Sequence, residues 1–178
     1  RRAPAFAHLP ARDDRPQPHA GPIAHGVAGG RPWLVHVLHP AASDRFPQAD
    51  DNAVVLRGEF RGTRVLLLSD LGRPGQEALL AREADLQADI VFAGLPVEGE
   101  PLLDGFLARV RPRVVVLLDS EYPAAARASP RLRERLSRQV ETLVCTSQTG
   151  AVQLTCTRRG WRLTAANGDL LTRGGRGE

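Results

Sequence analysis

Between Arg113 and Leu118 the chain reads Val-Val-Val-Leu-Leu without a polar break. An apolar run of that length, without alternation, is the pattern of a strand covered on both faces. Asp89 to Ala93 reads as a second, shorter buried strand. Around these strands the apolar residues recur at helical spacing. Gln76 to Leu86 carries Ala78, Leu79 and Leu80, and Pro74 is placed to open that helix in its first turn. Leu102 to Val110 puts Leu103, Phe106, Leu107 and Val110 on one face, and Pro130 to Gln139 follows Ser129 as its cap. Buried strands alternating with amphipathic helices predict an α/β fold with helices over at least one sheet face.

Hairpin signals frame this central part. Ala53 to Phe60 and Thr63 to Ser69 are β-rich runs separated only by Arg61-Gly62. Trp33 to Leu38 reads as a strand closed by His39-Pro40. Three more strands are predicted at Thr142 to Thr146, Ala151 to Thr157 and Trp161 to Ala165, and Asn167-Gly168 turns the chain into a last strand at Asp169 to Thr172. Residues 1 to 31 are rich in Pro, Ala, Arg, Gly and His without periodicity and predict an irregular segment; residues 32 to 173 form one domain, and the tail from Arg173 is expected to fray.

With 42% hydrophobic and 25% charged residues the chain is in the globular range. No apolar run approaches the roughly 20 residues needed to span a bilayer, and Arg1-Arg2 is not followed by the apolar segment of a signal peptide. The chain therefore reads as soluble and, starting without Met, as a piece of something longer. Every basic residue is arginine, with a net charge of +4. Genome base composition explains that usage, and so does phosphate binding, for which the guanidinium fork is suited. Cys145 and Cys156 lack metal-site spacing and read as buried free thiols; even if their strands paired through a turn at Ser147 to Gly150, they would not stand opposite each other. Neither a Gly-x-Ser-x-Gly elbow nor a P-loop is present.

Landmarks in a fixed order, from Val37 to Gly168, carry a family resemblance. They are Val37-Leu38-His39-Pro40, Asp50-Asp51-Asn52-Ala53 before Val54-Val55-Leu56, and Gly62-Thr63-Arg64 running to Ser69-Asp70. Phe106-Leu107, then Val110-Arg111-Pro112-Arg113-Val114, and finally Thr149-Gly150-Ala151-Val152 complete the series. Together they resemble the C-terminal half of the metallo-β-lactamase-like domain of ComEC-type DNA-uptake competence proteins. The resemblance implies part of an αββα sandwich. It also implies a parent protein in the bacterial inner membrane that imports DNA during transformation, with this domain outside the cytoplasm and packed against the membrane-embedded remainder.

Hydrolases of this fold use zinc or manganese to turn water into hydroxide, and the metals need convergent His and carboxylate ligands. The resemblance places one such ligand at Asp70, with Ser69 in place of the family's glycine. It places Leu95-Pro96 where the family carries a late histidine pair, and neither residue binds metal. All five histidines, His8, His19, His25, His36 and His39, lie at or before His39. Substitute ligands would have to be Glu98 and Glu100, or a magnesium-type carboxylate cluster of Asp70, Asp119 and Glu121. The other reading of Asp70 is a cap for the following turn. His36 and His39, three positions apart along a strand, are expected on opposite sheet faces and so to be structural.

Arginine is the remaining candidate chemistry. Arg131, Arg135 and Arg138 share a helix face, Arg127 joins them only if the helix extends back past Pro130, and Arg158 and Arg159 occupy a late turn. Such a set suits a DNA backbone without sequence preference, against the alternative of a solvated face. The expectation is a degenerate module that assists DNA uptake without its own metal-dependent hydrolysis and without a cofactor. The alternatives are an active metal-dependent phosphodiesterase acting on DNA and a non-catalytic scaffold.

Overall fold

The computed structural model describes residues 24–28 and 31–175. In chain order the strands and helices are β1 (Ala24–Ala28), β2 (Arg31–His39), β3 (Val55–Phe60), β4 (Thr63–Leu67), α1 (Arg73–Arg82), β5 (Ile90–Ala93), α2 (Asp104–Val110), β6 (Val114–Leu117), α3 (Pro130–Ser137), β7 (Thr142–Cys145), α4 (Thr146–Thr149), β8 (Val152–Thr157), β9 (Gly160–Ala165) and β10 (Leu170–Gly175). Short 3-10 turns lie at Asp50–Asn52 and Ala124–Ala126.

Strands β1 to β7 form one sheet in sequence order, antiparallel from β1 to β4 and parallel from β4 to β7. Each parallel step moves the chain one strand in the same direction. Right-handed crossovers then put α1, α2 and α3 on the same face. The core on that face contains Leu66, Val91, Val115 and Leu117 from the sheet against Leu79, Phe106, Leu107, Leu132 and Leu136 from the helices. The opposite face presents Ile90, Val114, Val116 and Val144, and a three-stranded antiparallel sheet, β10-β9-β8, covers it with Trp161 and Leu163. The layers are helices, seven-stranded sheet, three-stranded sheet. The Arg113 to Leu118 run is buried on both sides, as its lack of alternation predicts: Val114 to Leu117 are at most 1% exposed. The α/β expectation holds at this level.

Several local expectations are corrected. Residues 1 to 31 predict no strand, yet β1 lies within them and pairs with β2 from Ala24↔Val35 to Ala28↔Arg31. Its composition has no alternation, and the register is supplied by β2 and by Gly26, above which the Trp33 ring sits so closely that a Cβ would be 2.7 Å from it. The same device recurs at the far edge, where the Trp161 ring lies over Gly174, 2.6 Å from where a Cβ would stand. An aromatic across from an edge glycine restores the apolar cover that glycine lacks. The tail does not fray at Arg173, because β10 pairs with β9 as far as Gly175↔Gly160.

Helix α1 starts at Arg73 and ends at Arg82, earlier at both ends than the spacing predicts; Leu86 is fully buried but in the loop beyond. Ser129 caps α3 as expected, its Oγ accepting from the Leu132 N–H at 3.1 Å. The turn expected at Ser147 to Gly150 is the single-turn helix α4, and the chain changes sheet there. Cys145 and Cys156 consequently sit on strands of different sheets, both as free thiols.

Candidate functional site

The carboxyl ends of β4, β5, β6 and β7 line up along one edge, the position at which open parallel sheets place their sites. What stands there is Ser69-Asp70, Gly94-Leu95-Pro96, Asp119 and Thr146. Ser69 has φ +51°, a left-handed conformation, and donates its hydroxyl to the Val54 carbonyl at 2.9 Å. The Gly94 N–H donates to the Ser69 carbonyl, and a Cβ on Gly94 would be 3.0 Å from that oxygen. This tight backbone crossing turns Asp70 outward. Its exposed carboxylate makes no hydrogen bond or ion pair among the described residues. The cap role for Asp70 is therefore corrected: Gly72 occupies the N-cap of α1, with no side-chain cap.

Asp119 is 7% exposed and fully engaged. Its Oδ1 accepts from the Ser147 N–H at 2.8 Å, and its Oδ2 from Ser147 Oγ at 2.8 Å and the Ala128 N–H at 3.1 Å. Thr146 Oγ1 donates to the Asp119 carbonyl at 2.6 Å. Among the described residues no three His, Cys, Asp or Glu side chains converge as metal ligands would, so Asp70, Asp119 and Glu121 do not form the carboxylate cluster considered above. Glu98 accepts from Gln48 Nε2 at 3.0 Å, and Glu100 Oε2 is 3.2 Å from Arg135 Nε. Leu95 is partly buried against the helix-side core and Pro96 is buried. Among the described residues the donor set on this edge does not fit a catalytic zinc or manganese ion.

The two strand histidines depart from expectation. His36 pairs with Arg57 and His39 with Val55, across a register shift after Val37. Residues directly opposite share a face, and Arg57 and Val55 are two apart, so the bulge puts both histidines on the helix side of the sheet. The rings have different settings. His36 borders a hollow with Arg57, Glu59, Arg64 and Asp85. His39 is fully buried, donates Nε2–H to the Asp51 carbonyl at 2.7 Å, and holds Nδ1 3.3 Å from Asp44 Oδ2. Arg82 completes the cluster with bonds to both Asp44 oxygens, at 3.3 and 3.1 Å, and to the Leu38 carbonyl at 2.7 Å. Burial pushes the Asp44 carboxyl up, but the Ala41 N–H and the Arg82 guanidinium outweigh it, and the net shift is downward. His25 lies exposed on β1, while His8 and His19 are outside the described residues.

The arginines separate into two groups. Arg135 is turned inward as a clamp on the loop before α2, donating to the Leu102 and Pro101 carbonyls at 3.0 Å each and to Asp104 Oδ1 at 2.6 Å. Arg138 pairs with Glu134 one turn back. Arg127 is not on α3 at all; it follows the Ala124–Ala126 turn and donates to the Glu121 carbonyl. Of the expected helical trio, Arg131 is exposed and has no ion pair among the described residues.

Arg158 and Arg159 form the β8–β9 turn, and the structure adds two neighbours that sequence reasoning passed over. Arg162 on β9 and Arg173 on β10 stand directly opposite each other, with Thr155 of β8 in the same row. The alternation of Trp161, Leu163 and Ala165 inward marks Arg162 as outward-facing, a signal present in the sequence. Arg159, Arg162 and Arg173 border an open groove of about 620 Å³.

No family model matches the chain, and no curated protein matches it.

Proposed function

We propose that this chain is a degenerate metallo-β-lactamase-like module of a ComEC-type competence protein, contributing contacts to DNA during uptake without hydrolysing it. On this reading the three layers belong to an αββα sandwich, with the large sheet and its helices as one half and β8 to β10 as the closing strands of the other. The observation that carries the reading is the carboxyl edge of the parallel strands. Leu95-Pro96 follows β5 where the family resemblance calls for histidines, Asp70 has no partner among the described residues, and Asp119 is consumed by backbone and hydroxyl donors. On this reading, a strand edge that lacks ligands is what loss of catalysis within a retained fold leaves behind. No helix among the described residues is long and apolar enough to cross a membrane.

The test is a phosphodiesterase assay on the full-length parent with added manganese or zinc, using a labelled duplex and a chromogenic phosphodiester. The proposal expects turnover indistinguishable from the blank and unchanged by Asp70→Ala. Metal-dependent turnover abolished by Asp70→Ala would restore the active phosphodiesterase reading.

A further inference from the structure

We infer that the outer face of the three-stranded sheet, centred on Arg159, Arg162 and Arg173, binds the phosphate backbone of duplex nucleic acid; this rests on the proposed DNA-contacting role and assigns it a surface. The argument begins with a cost in the fold. Arg162 and Arg173 are direct cross-strand partners on an antiparallel pair. Such partners have Cβ atoms about 4.5–5.5 Å apart, and like charges there are destabilising. Several arginines elsewhere are paired with carboxylates: Arg64 with Asp85, Arg82 with Asp44, Arg113 with Glu141, Arg135 with Asp104 and Arg138 with Glu134. Arg159, Arg162 and Arg173 make no ion pair among the described residues. Their charge is left for an anion from outside.

The surface around them suits a polyanion better than a lipid or an exposed base. Gly175 is exposed two residues beyond Arg173, and a Cβ on it would meet nothing within 4 Å, so a bulky backbone can come close there. Trp161 is turned into the core at 5% exposure and offers no stacking platform. Trp161 borders the groove, but at that exposure it does not reach out as an apolar anchor for a bilayer interface. Cys156, in the row next to this end of β8, lies near Thr63 and Arg61 at the start of β4, and burial pushes its thiol up. The groove therefore lies at the edge opposite Asp70 and Asp119, separate from the place where the fold would do chemistry.

The experiment is fluorescence anisotropy of a labelled duplex oligonucleotide of mixed sequence, titrated with the full chain over a range of salt. Wild type is expected to bind at low salt. Replacing Arg162→Gln and Arg173→Gln together should weaken binding by about tenfold and reduce the log–log salt slope by about two. The thermal midpoint of that variant should stay level or rise, because the opposed charges are gone. The control pair Arg113→Gln and Arg138→Gln should stay within about twofold of wild type, since Glu141 and Glu134 stand against those charges. Binding by wild type that the sheet variant retains overturns the surface assignment while leaving the DNA-contacting role standing. No binding by wild type at low salt overturns both. Phosphatidylserine vesicles captured through the same two arginines, with duplex binding unaffected, would replace nucleic acid with a membrane surface.

Discussion

Asp119 and Ser147 are joined twice, the carboxylate accepting from both the Ser147 N–H and its hydroxyl at 2.8 Å. These two hydrogen bonds fix the start of α4 to the end of β6, and the third, from the Ala128 N–H, ties in the loop before α3. Replacing Asp119→Ala leaves two backbone N–H groups without their acceptor. The expected loss is about 2–4 kcal/mol by urea denaturation, and Ser147→Ala, which removes only the hydroxyl, should cost about 1 kcal/mol. If Asp119 were instead a metal ligand, the Asp119→Ala variant would lose a zinc-dependent rise in thermal midpoint that wild type shows; no such rise is expected from wild type.

Ser69 occupies a left-handed backbone position at φ +51°. Glycine adopts that conformation without a Cβ penalty, whereas a β-branched residue is an outlier there. Ser69→Gly should leave stability level or raise it by up to about 1 kcal/mol, because relief of strain is offset by the lost bond to the Val54 carbonyl. Ser69→Val should lower it by about 2 kcal/mol. Chemical denaturation of the two variants side by side decides this, and equal effects would contradict the strain argument.

Trp161 over Gly174 closes one edge of the small sheet. A side chain at position 174 has to displace the indole from the core it shares with Ile90, Val114 and Leu163. Gly174→Val is expected to cost about 2–3 kcal/mol and to shift tryptophan emission to the red as Trp161 becomes wetter. Unchanged emission and stability would show that the ring packs elsewhere.

Acid sensitivity should arise in part from Asp44. Its carboxyl is held below the ordinary value of 3.8, so folding favours its charged form. The resulting stabilisation is complete above the unfolded pKa and lost as pH falls through the lower, folded value. Stability should therefore be flat near neutrality with respect to this group and decline below about pH 4. Asp44→Asn should flatten part of that acid limb and cost about 1–2 kcal/mol at pH 7 through lost contacts with Arg82 and the Ala41 N–H. Denaturation midpoints measured from pH 7 to pH 3 test the sign: a variant as acid-sensitive as wild type would contradict it.

How far the residues alone could be read depended on whether the signal was local. Arg113 to Leu118 and the Arg61-Gly62 hairpin announce themselves because burial and turn chemistry are written into consecutive positions. The strand at Ala24–Ala28 does not, since it is specified by pairing with β2. The bulge at Leu38 is likewise invisible in spacing, and it moved His39 to the face opposite the one that strict alternation assigns. At the candidate site, the absence of late histidines is plain from the sequence, whereas the occupation of Asp119 by donors from the loop before α3 and from α4 is a tertiary fact. The arginines show the same division. Helical spacing grouped Arg131, Arg135 and Arg138, but the fold spends Arg135 on three carbonyl and carboxylate partners and assembles its unpaired cluster from Arg159, Arg162 and Arg173.

The most direct test of the account is the metal content of the purified chain and of its full-length parent, measured by inductively coupled plasma mass spectrometry after dialysis against trace zinc and manganese. The account predicts far less than one ion per chain in both, with no change on Asp70→Ala. One zinc or manganese ion per chain, lost on Asp70→Ala, would contradict it and return hydrolysis to the carboxyl edge of the sheet.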